Sequence, residues 1–155
     1  MGIKNFIRRG GLWVLGQGVL MLAVVVCGVI WSEQQWGFLL QLCGVLCLVA
    51  AVFCGISGAF ALGRNLTPFP EPPANAHLVQ AGIYGFIRHP LYTAVISGAV
   101  GWALLRASWP ALIGSLALAI FFDAKARKEE RHLRIQFPDY ADYERRVRRF
   151  IPWVY

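Results

Sequence analysis

Residues 10–31 read GGLWVLGQGVLMLAVVVCGVIW, and Gln17 is the one polar interruption. Residues 36–62, WGFLLQLCGVLCLVAAVFCGISGAFAL, repeat the pattern with Gln41 and Ser57 as exceptions. A bilayer core about 30 Å thick needs roughly 20 helical residues at about 1.5 Å each, so both runs are long enough to span. As buried helices of a soluble protein they would need more polar surface than this chain can supply. It is 57% hydrophobic and 15% charged, where soluble domains average roughly 45–50% and about 25%. The sequence therefore predicts an all-α integral membrane protein, and 155 residues imply a single domain, 1–155.

The basic start, Lys4, Arg8 and Arg9, does not make the first run a signal peptide. The apolar stretch is too long and no small-x-small cleavage site follows it, so the first helix is expected to stay attached. Cys27, Cys43, Cys47 and Cys54 lie inside the two runs without His or Asp companions. They read as small packing residues rather than as a metal or disulfide set. His77 and His89 likewise lack a third ligand at suitable spacing, and no metal site is expected.

Beyond Leu62 the connector 63–90 carries prolines at 68, 70, 72 and 73, which forbid a helix there and favour an extended chain. A third apolar segment covers 91–105 and a fourth covers 109–122, joined at Arg106 to Ser108, with Pro110 suited to a first helical turn. These last two form a short hairpin, either just crossing the membrane or thinning it locally. Under this four-helix model fourteen of the fifteen Lys and Arg fall on one side; Arg106 lies on the other, and Glu33 marks the first outer loop. By the positive-inside rule both termini are then cytoplasmic.

The tail, 123–155, is predicted to continue as helix up to Pro138. Asp139 would then cap a second helix in which Tyr140, Tyr143, Val147 and Phe150 recur at helical spacing. Arg145, Arg146, Arg148 and Arg149 would occupy the other faces, laying the segment on an anionic leaflet with Trp153 as an anchor. No stacking platform or nucleic-acid fold signature accompanies the arginines, and a nucleic-acid role is not expected.

The stretch GIYGFIRHPLY, 82–92, gathers hydrogen-bonding groups at the mouth of the third helix. With Pro90 as the first helical residue, His89 takes the cap position. The exposed helix start and the Arg88 charge would suit a small anionic group such as a carboxylate or phosphate. Tyr84 and Tyr92 add flat apolar faces. Interfacial anchoring accounts for the same residues without any function. In KARKEERHL, Lys125, Glu129 and Leu133 share one helical face, and Arg127, Glu130 and Arg134 share another. Ion pairs four residues apart explain much of that pattern. They do not explain why Glu129 falls at the same membrane boundary as His89 and Tyr92, which suggests a pocket between the two clusters.

Taken in order, HLVQAGIYGFIRHPLY, a hydrophobic hairpin and KEERHLRIQFPDYADYERRVRRFIP resemble the isoprenylcysteine carboxyl methyltransferase family and its phospholipid-methyltransferase relatives. The preceding LGRNLTPFPEPP is similar to the connector of bacterial members, which implies a prokaryotic inner membrane. The match runs over residues 62–152. The resemblance implies an integral membrane enzyme using S-adenosylmethionine. It further implies cofactor contacts at Ala76, His77, Leu78, Val79, Tyr84, His89, Pro90, Leu91, Tyr92 and Glu129. The residues' own chemistry adds Arg88, at the cofactor's carboxylate, and Glu130 to the cofactor-binding set, with His89 or Glu130 as the base that a thiol acceptor would need. The family's acceptor-facing arginine corresponds to Lys125 here, with Arg127 as an offset candidate; with His89 these are the candidate catalytic residues.

Methyl transfer to a membrane-embedded or prenylated carboxylate is the expected reaction, because opposite charges vanish as carboxylate meets sulfonium and water exclusion favours that step. A phospholipid amine or thiol is the alternative acceptor. A non-catalytic scaffold or lipid-binding subunit is the alternative outside enzymes. A transporter fits poorly, since no charged residue interrupts the spans.

Overall fold

A computed structural model describes residues 7, 10–32, 36–70 and 77–155. Lys4, Arg8, Arg9, Glu33, Pro72, Pro73 and the expected cofactor contact Ala76 lie outside the described residues. Five helices of seven or more residues follow one another: α1 (Gly11–Ile30), α2 (Phe38–Leu62), α3 (Pro90–Leu105), α4 (Trp109–Gln136) and α5 (Tyr140–Arg146). Single 3-10 turns occupy Gly63–Asn65 and Gly82–Gly85, and no strand occurs among the described residues. Both long apolar runs become helices within two residues of their expected ends.

Helices α1, α2 and α4 are long and apolar enough to cross a membrane. Helix α3 has 16 residues, about 24 Å of rise, and falls short of a full bilayer core. Large apolar side chains such as Leu12, Val19, Phe38 and Phe60 stand exposed along α1 and α2, as lipid-facing surfaces require.

Helix α3 packs most extensively on α2, and α1 packs on α4. The α2–α3 contact depends on absent side chains. A Cβ on Gly101 would sit 2.8 Å from the Gly44 carbonyl oxygen, and one on Gly58 would sit 3.1 Å from Pro90. Without hydrophobic drive between helices in lipid, such close backbone approach supplies the packing. Gly58 thereby seats the first turn of α3 against the end of α2. The central core is Val24, Ala99, Ala103, Ala111, Leu118 and Phe122.

The α3–α4 turn forms where expected. Ser108 accepts a hydrogen bond from the Ala111 N–H and Pro110 occupies the first turn. Arg106 does not simply reach outward. Its Nε donates to the Gly28 carbonyl at 3.0 Å, and Ser108 Oγ donates to the Cys27 carbonyl at 3.2 Å, so the hairpin caps the end of α1.

Helix α4 runs unbroken from Trp109 to Gln136, as expected of a tail that continues as helix up to Pro138, and the departures begin after it. Asp139 stands at the start of α5 but makes no side-chain cap. Its φ of −78° and ψ of −2° are already helical, which carries the side chain away from the N–H groups it would have to reach. Helix α5 then stops at Arg146, and Val147 turns extended. Tyr140, Tyr143, Val147 and Phe150 are buried at 8% exposure or less against protein, not lipid. The reason is a set of backbone bonds: the N–H groups of Arg88 and His89 donate to the carbonyls of Arg148 and Arg149 at 2.8 and 3.1 Å. The segment from 147 onward is thus a strap over the mouth of α3, and Trp153 at 84% exposure remains free to act as an anchor.

Candidate functional site

Four elements converge at one end of the bundle. Gly10 at the start of α1 lies against Pro70, Gly58 near the end of α2 touches Pro90, and Lys125 of α4 reaches the Pro68 carbonyl at 2.9 Å. Between them opens a pocket walled by Leu62 at the end of α2, by Asn65 and Thr67 after it, by His77, Leu78, Val79 and Tyr84 of the connector, and by Arg88, His89, Leu91 and Tyr92 at the start of α3. Glu129 and Leu133 of α4 form the facing wall, and Phe137, Tyr140 and Tyr143 close it from the tail.

The two clusters singled out in the sequence, forty residues apart, therefore meet. Tyr92 donates its hydroxyl to Glu129 Oε2 at 2.6 Å. The His89 ring stacks on Tyr92, with centroids 5.1 Å apart and planes 5° apart. Its Nε2 lies 3.1 Å from Glu130 Oε1, and its Nδ1 lies 3.8 Å from Glu129 Oε2. His89 is 6% exposed. Its side chain makes no cap to α3; its carbonyl accepts from the N–H groups of Tyr92 and Thr93 instead.

Glu130, one residue from Glu129, points the other way, as consecutive helical positions must. It does not line the pocket and is wholly buried. Arg88 donates to its Oε1 through Nε (3.2 Å) and Nη2 (2.9 Å), and Arg149 grips it at Oε1 through Nε (3.0 Å) and at Oε2 through Nη2 (2.7 Å). Arg88 also donates through Nη1 to the carbonyls of Glu144 and Val147. A buried carboxylate needs such partners, because desolvation of an unpaired charge costs several kcal/mol. Arg88 thus borders the pocket with its guanidinium committed to protein groups.

The remaining sequence candidates divide. His77, Leu78, Val79, Tyr84, Leu91 and Tyr92 line the pocket; Pro90 is buried behind it against Gly58. Lys125 lies beneath Tyr92, 5.3 Å from its ring centroid, with Nζ donating to the Gln17 side chain and the Pro68 carbonyl. Arg127 is on the solvent side of α4, paired with Asp123 at 2.7 Å and with the Tyr155 hydroxyl at 3.2 Å.

Sequence reasoning missed Asn65, Thr67, Phe137, Tyr140, Tyr143 and Arg149. Asn65 donates to the His77 carbonyl at 3.0 Å, tying the two ends of the connector together. Tyr143 donates to the Tyr84 carbonyl at 2.7 Å. The Pro138–Asp139 break was a usable signal, because a chain reversal there returns the tyrosines to α4. Burial, and after it the Glu129 carboxylate, pushes the Tyr84 phenol above its ordinary range. The hydrogen bond to Glu130 leads the causes that raise Arg149 above the usual arginine value.

With this geometry in view, the comparison with known sequences becomes decisive. Residues 39–139, which hold every pocket wall but the last two tyrosines, match the phospholipid methyltransferase family model. The chain belongs to the phospholipid methyltransferase family. Among its relatives, the nickel-cobalt-cadmium resistance protein NccN of Alcaligenes xylosoxydans xylosoxydans is 30% identical over 94% of this chain and 65% of its own length. The cobalt-zinc-cadmium resistance protein CzcN of Cupriavidus metallidurans is 27% identical over 97% of this chain and 67% of its own length. The protein-S-isoprenylcysteine O-methyltransferase of Schizosaccharomyces pombe is 35% identical over 50% of this chain and 34% of its own. The chain thus spans about two thirds of the first two and a third of the last. This family membership agrees with a helical, membrane-type fold whose pocket lies at the start of α3 and beside the polar half of α4.

Proposed function

We propose that this chain is a membrane methyltransferase that uses S-adenosylmethionine to methylate a lipophilic acceptor, with a carboxylate as the preferred class. The observation that carries the reading is the convergence of residues 77–79, 84, 88, 89, 91, 92 and 129 on one pocket. Family membership and the isoprenylcysteine methyltransferase relative support it.

The donor set fits the cofactor. Tyr140 is a lining residue of this pocket, 1% exposed, and its hydroxyl is buried with no hydrogen-bond partner among the described residues. A buried hydroxyl left alone is uncommon in proteins, and a polar ligand edge would satisfy it. Glu129 keeps 27% of its side chain exposed and uses one oxygen on Tyr92, leaving acceptor capacity for an amino or ribose group. Leu78, Leu133, Phe137 and Tyr84 offer an apolar sleeve for an adenine ring. His77 and Asn65 would meet a carboxylate in place of Arg88, whose N–H groups face Glu130 and the tail.

When bound, S-adenosylmethionine supplies a methyl group already activated by its sulfonium. The protein's part is positioning and electrostatics. Tyr92 holds Glu129 in place, and His89 is fixed by stacking on Tyr92 and by Glu130, so it stands ready to orient an acceptor or take its proton. Lys125, beneath Tyr92, sets that ring's position from below, whereas Arg127 faces away. Both termini are assigned to the cytoplasmic side on the charge distribution, so that the cofactor enters from water and the acceptor from lipid. Two relatives carry metal-resistance names; among the described residues no group of three or more His, Cys, Asp or Glu converges.

The test is direct. Purified protein in nanodiscs is titrated with S-adenosylmethionine by calorimetry, then incubated with methyl-labelled cofactor and a membrane lipid extract. Saturable heat and a base-labile lipid-soluble label are expected; a base-stable label would make the acceptor an amine or thiol. Absence of heat from folded protein would end the enzymatic reading.

A further inference from the structure

A second cleft lies on the outer side of the strap and shares no lining residue with the methyltransferase pocket. It is built from Gly85 and Phe86 of the connector, Arg145, Arg146 and Arg148 of the tail, and Trp153. Three guanidinium groups meet there with one acidic neighbour. Arg145 pairs with Asp142 at 3.6 Å, both side chains over 75% exposed. Arg146 donates to the Gln80 side chain at 3.2 Å and to the Asp142 carbonyl at 3.3 Å. No side-chain hydrogen bond or ion pair engages Arg148 among the described residues, and it is exposed. Such a pair as Arg145–Asp142 neutralises little in water. The cleft therefore holds a net positive charge with planar donors suited to phosphate oxygens.

Phe86 is shared with a neighbouring apolar groove. That groove follows α2 from Ala50 to Ala61 past Phe53 and Phe60 and ends beside Ile151 and Pro152 of the strap. Eleven helical steps make it about 16 Å long, the scale of an acyl chain within one leaflet, itself about half of a 30 Å core. Phe86, Trp153 and Phe60 are 61%, 84% and 85% exposed. Thus a cationic end at the membrane surface continues into an apolar trough along a candidate membrane span, which is the chemical layout of one phospholipid.

We propose that the cleft binds the phosphate of an anionic phospholipid, with one acyl chain laid in the groove, and that this lipid pins the strap over the α3 mouth. The link is local: Arg148 contributes a guanidinium to the cleft and its carbonyl to the Arg88 N–H at 2.8 Å. Thr93 Oγ1, in the groove wall, donates to the Phe150 carbonyl at 3.0 Å. Securing residues 145–153 from outside therefore holds the backbone that carries His89 inside.

Thermal unfolding of detergent-purified protein, followed by tryptophan fluorescence, tests this against added phosphatidylglycerol, phosphatidylcholine or inorganic phosphate. Phosphatidylglycerol should raise the midpoint saturably by several degrees, and neither of the others should. The double variant Arg145→Gln/Arg148→Gln, whose altered groups are exposed, should keep the lipid-free midpoint and lose most of that rise. Phe86→Ser should raise the phosphatidylglycerol concentration needed at least threefold. Equal stabilisation by phosphatidylcholine or by inorganic phosphate would overturn the proposal, as would an undiminished response in the double variant.

Discussion

Tyr92 on α3 and Glu129 on α4 are joined by a 2.6 Å hydrogen bond, the phenol donating to the carboxylate across 37 positions of sequence. The bond ties the two motifs directly, beside those from Arg88 and His89 to Glu130, and it assigns each partner a separable task.

Removing the carboxylate charge with Glu129→Gln should weaken S-adenosylmethionine binding at least tenfold, since charge-assisted hydrogen bonds are worth about 1.5–3 kcal/mol. Tyr92→Phe keeps the carboxylate but frees it to rotate, so its loss should be smaller and should fall on turnover more than on affinity. Calorimetry and initial rates on both variants separate these outcomes. Equal effects on both measurements would contradict the division of tasks.

Glu130 sits between Arg88 and Arg149 with its side chain fully buried. Glu130→Ala leaves two cations facing each other with only the partly exposed Asp123 beside Arg149 and Glu144 beside Arg88 as counter-ions, a change that costs up to about 3–5 kcal/mol for buried pairs. The unfolding midpoint in mild detergent should fall accordingly. Hydrogen exchange at the Arg88 and His89 amides should accelerate together, because the strap that accepts their hydrogen bonds is held by the same carboxylate.

The Tyr140 hydroxyl is buried without a protein partner among the described residues. Tyr140→Phe should therefore leave the cofactor-free stability unchanged or slightly higher. Cofactor affinity should drop roughly threefold to tenfold if the hydroxyl serves the ligand. A pH dependence follows as well. Burial, and next the Glu130 carboxylate, holds this phenol above its ordinary value, and burial does the same for Tyr143. Below about pH 10, where unfolded tyrosines stay protonated, this contribution to stability is complete. As pH rises from there toward the folded-state values, protons leave the unfolded chain alone and stability declines. The alkaline slope of the unfolding midpoint should be shallower in Tyr140→Phe.

Gly101 meets the Gly44 carbonyl and Leu48 where α2 and α3 cross. Gly101→Val should cost about 1–3 kcal/mol through overpacking. The damage should reach the pocket, since the same helix pair seats Pro90 on Gly58. A midpoint equal to that of the parent protein would show the crossing to be looser than its geometry.

The long helices were legible because a bilayer makes apolar length itself the signal, and 10–31 and 36–62 carry it without ambiguity. His89, Tyr92 and Glu129 were legible because polar groups at an apolar boundary need a reason. The role of the tail was not. Tyr140, Tyr143, Val147 and Phe150 show the same helical stripe whether they face lipid or a protein wall, and periodicity cannot tell one apolar neighbour from another. Arg149 was hidden for a related reason. Within a run of four arginines in five residues, nothing local distinguishes the one whose partner, Glu130, lies on a different helix. Arg88 was read as a free charge because its partners, at positions 130, 144 and 147, are more than forty residues downstream.

The strap also sets an order of events during synthesis. Arg88 and His89 are made some sixty residues before Arg148 and Arg149, whose carbonyls take up their amide protons. A chain interrupted past Tyr143 but before Arg148 has every lining residue of the pocket, while the Arg88 and His89 amides still lack these acceptors. The mouth of α3 is therefore secured only by the ribosome's late output, when the last two carbonyl acceptors arrive.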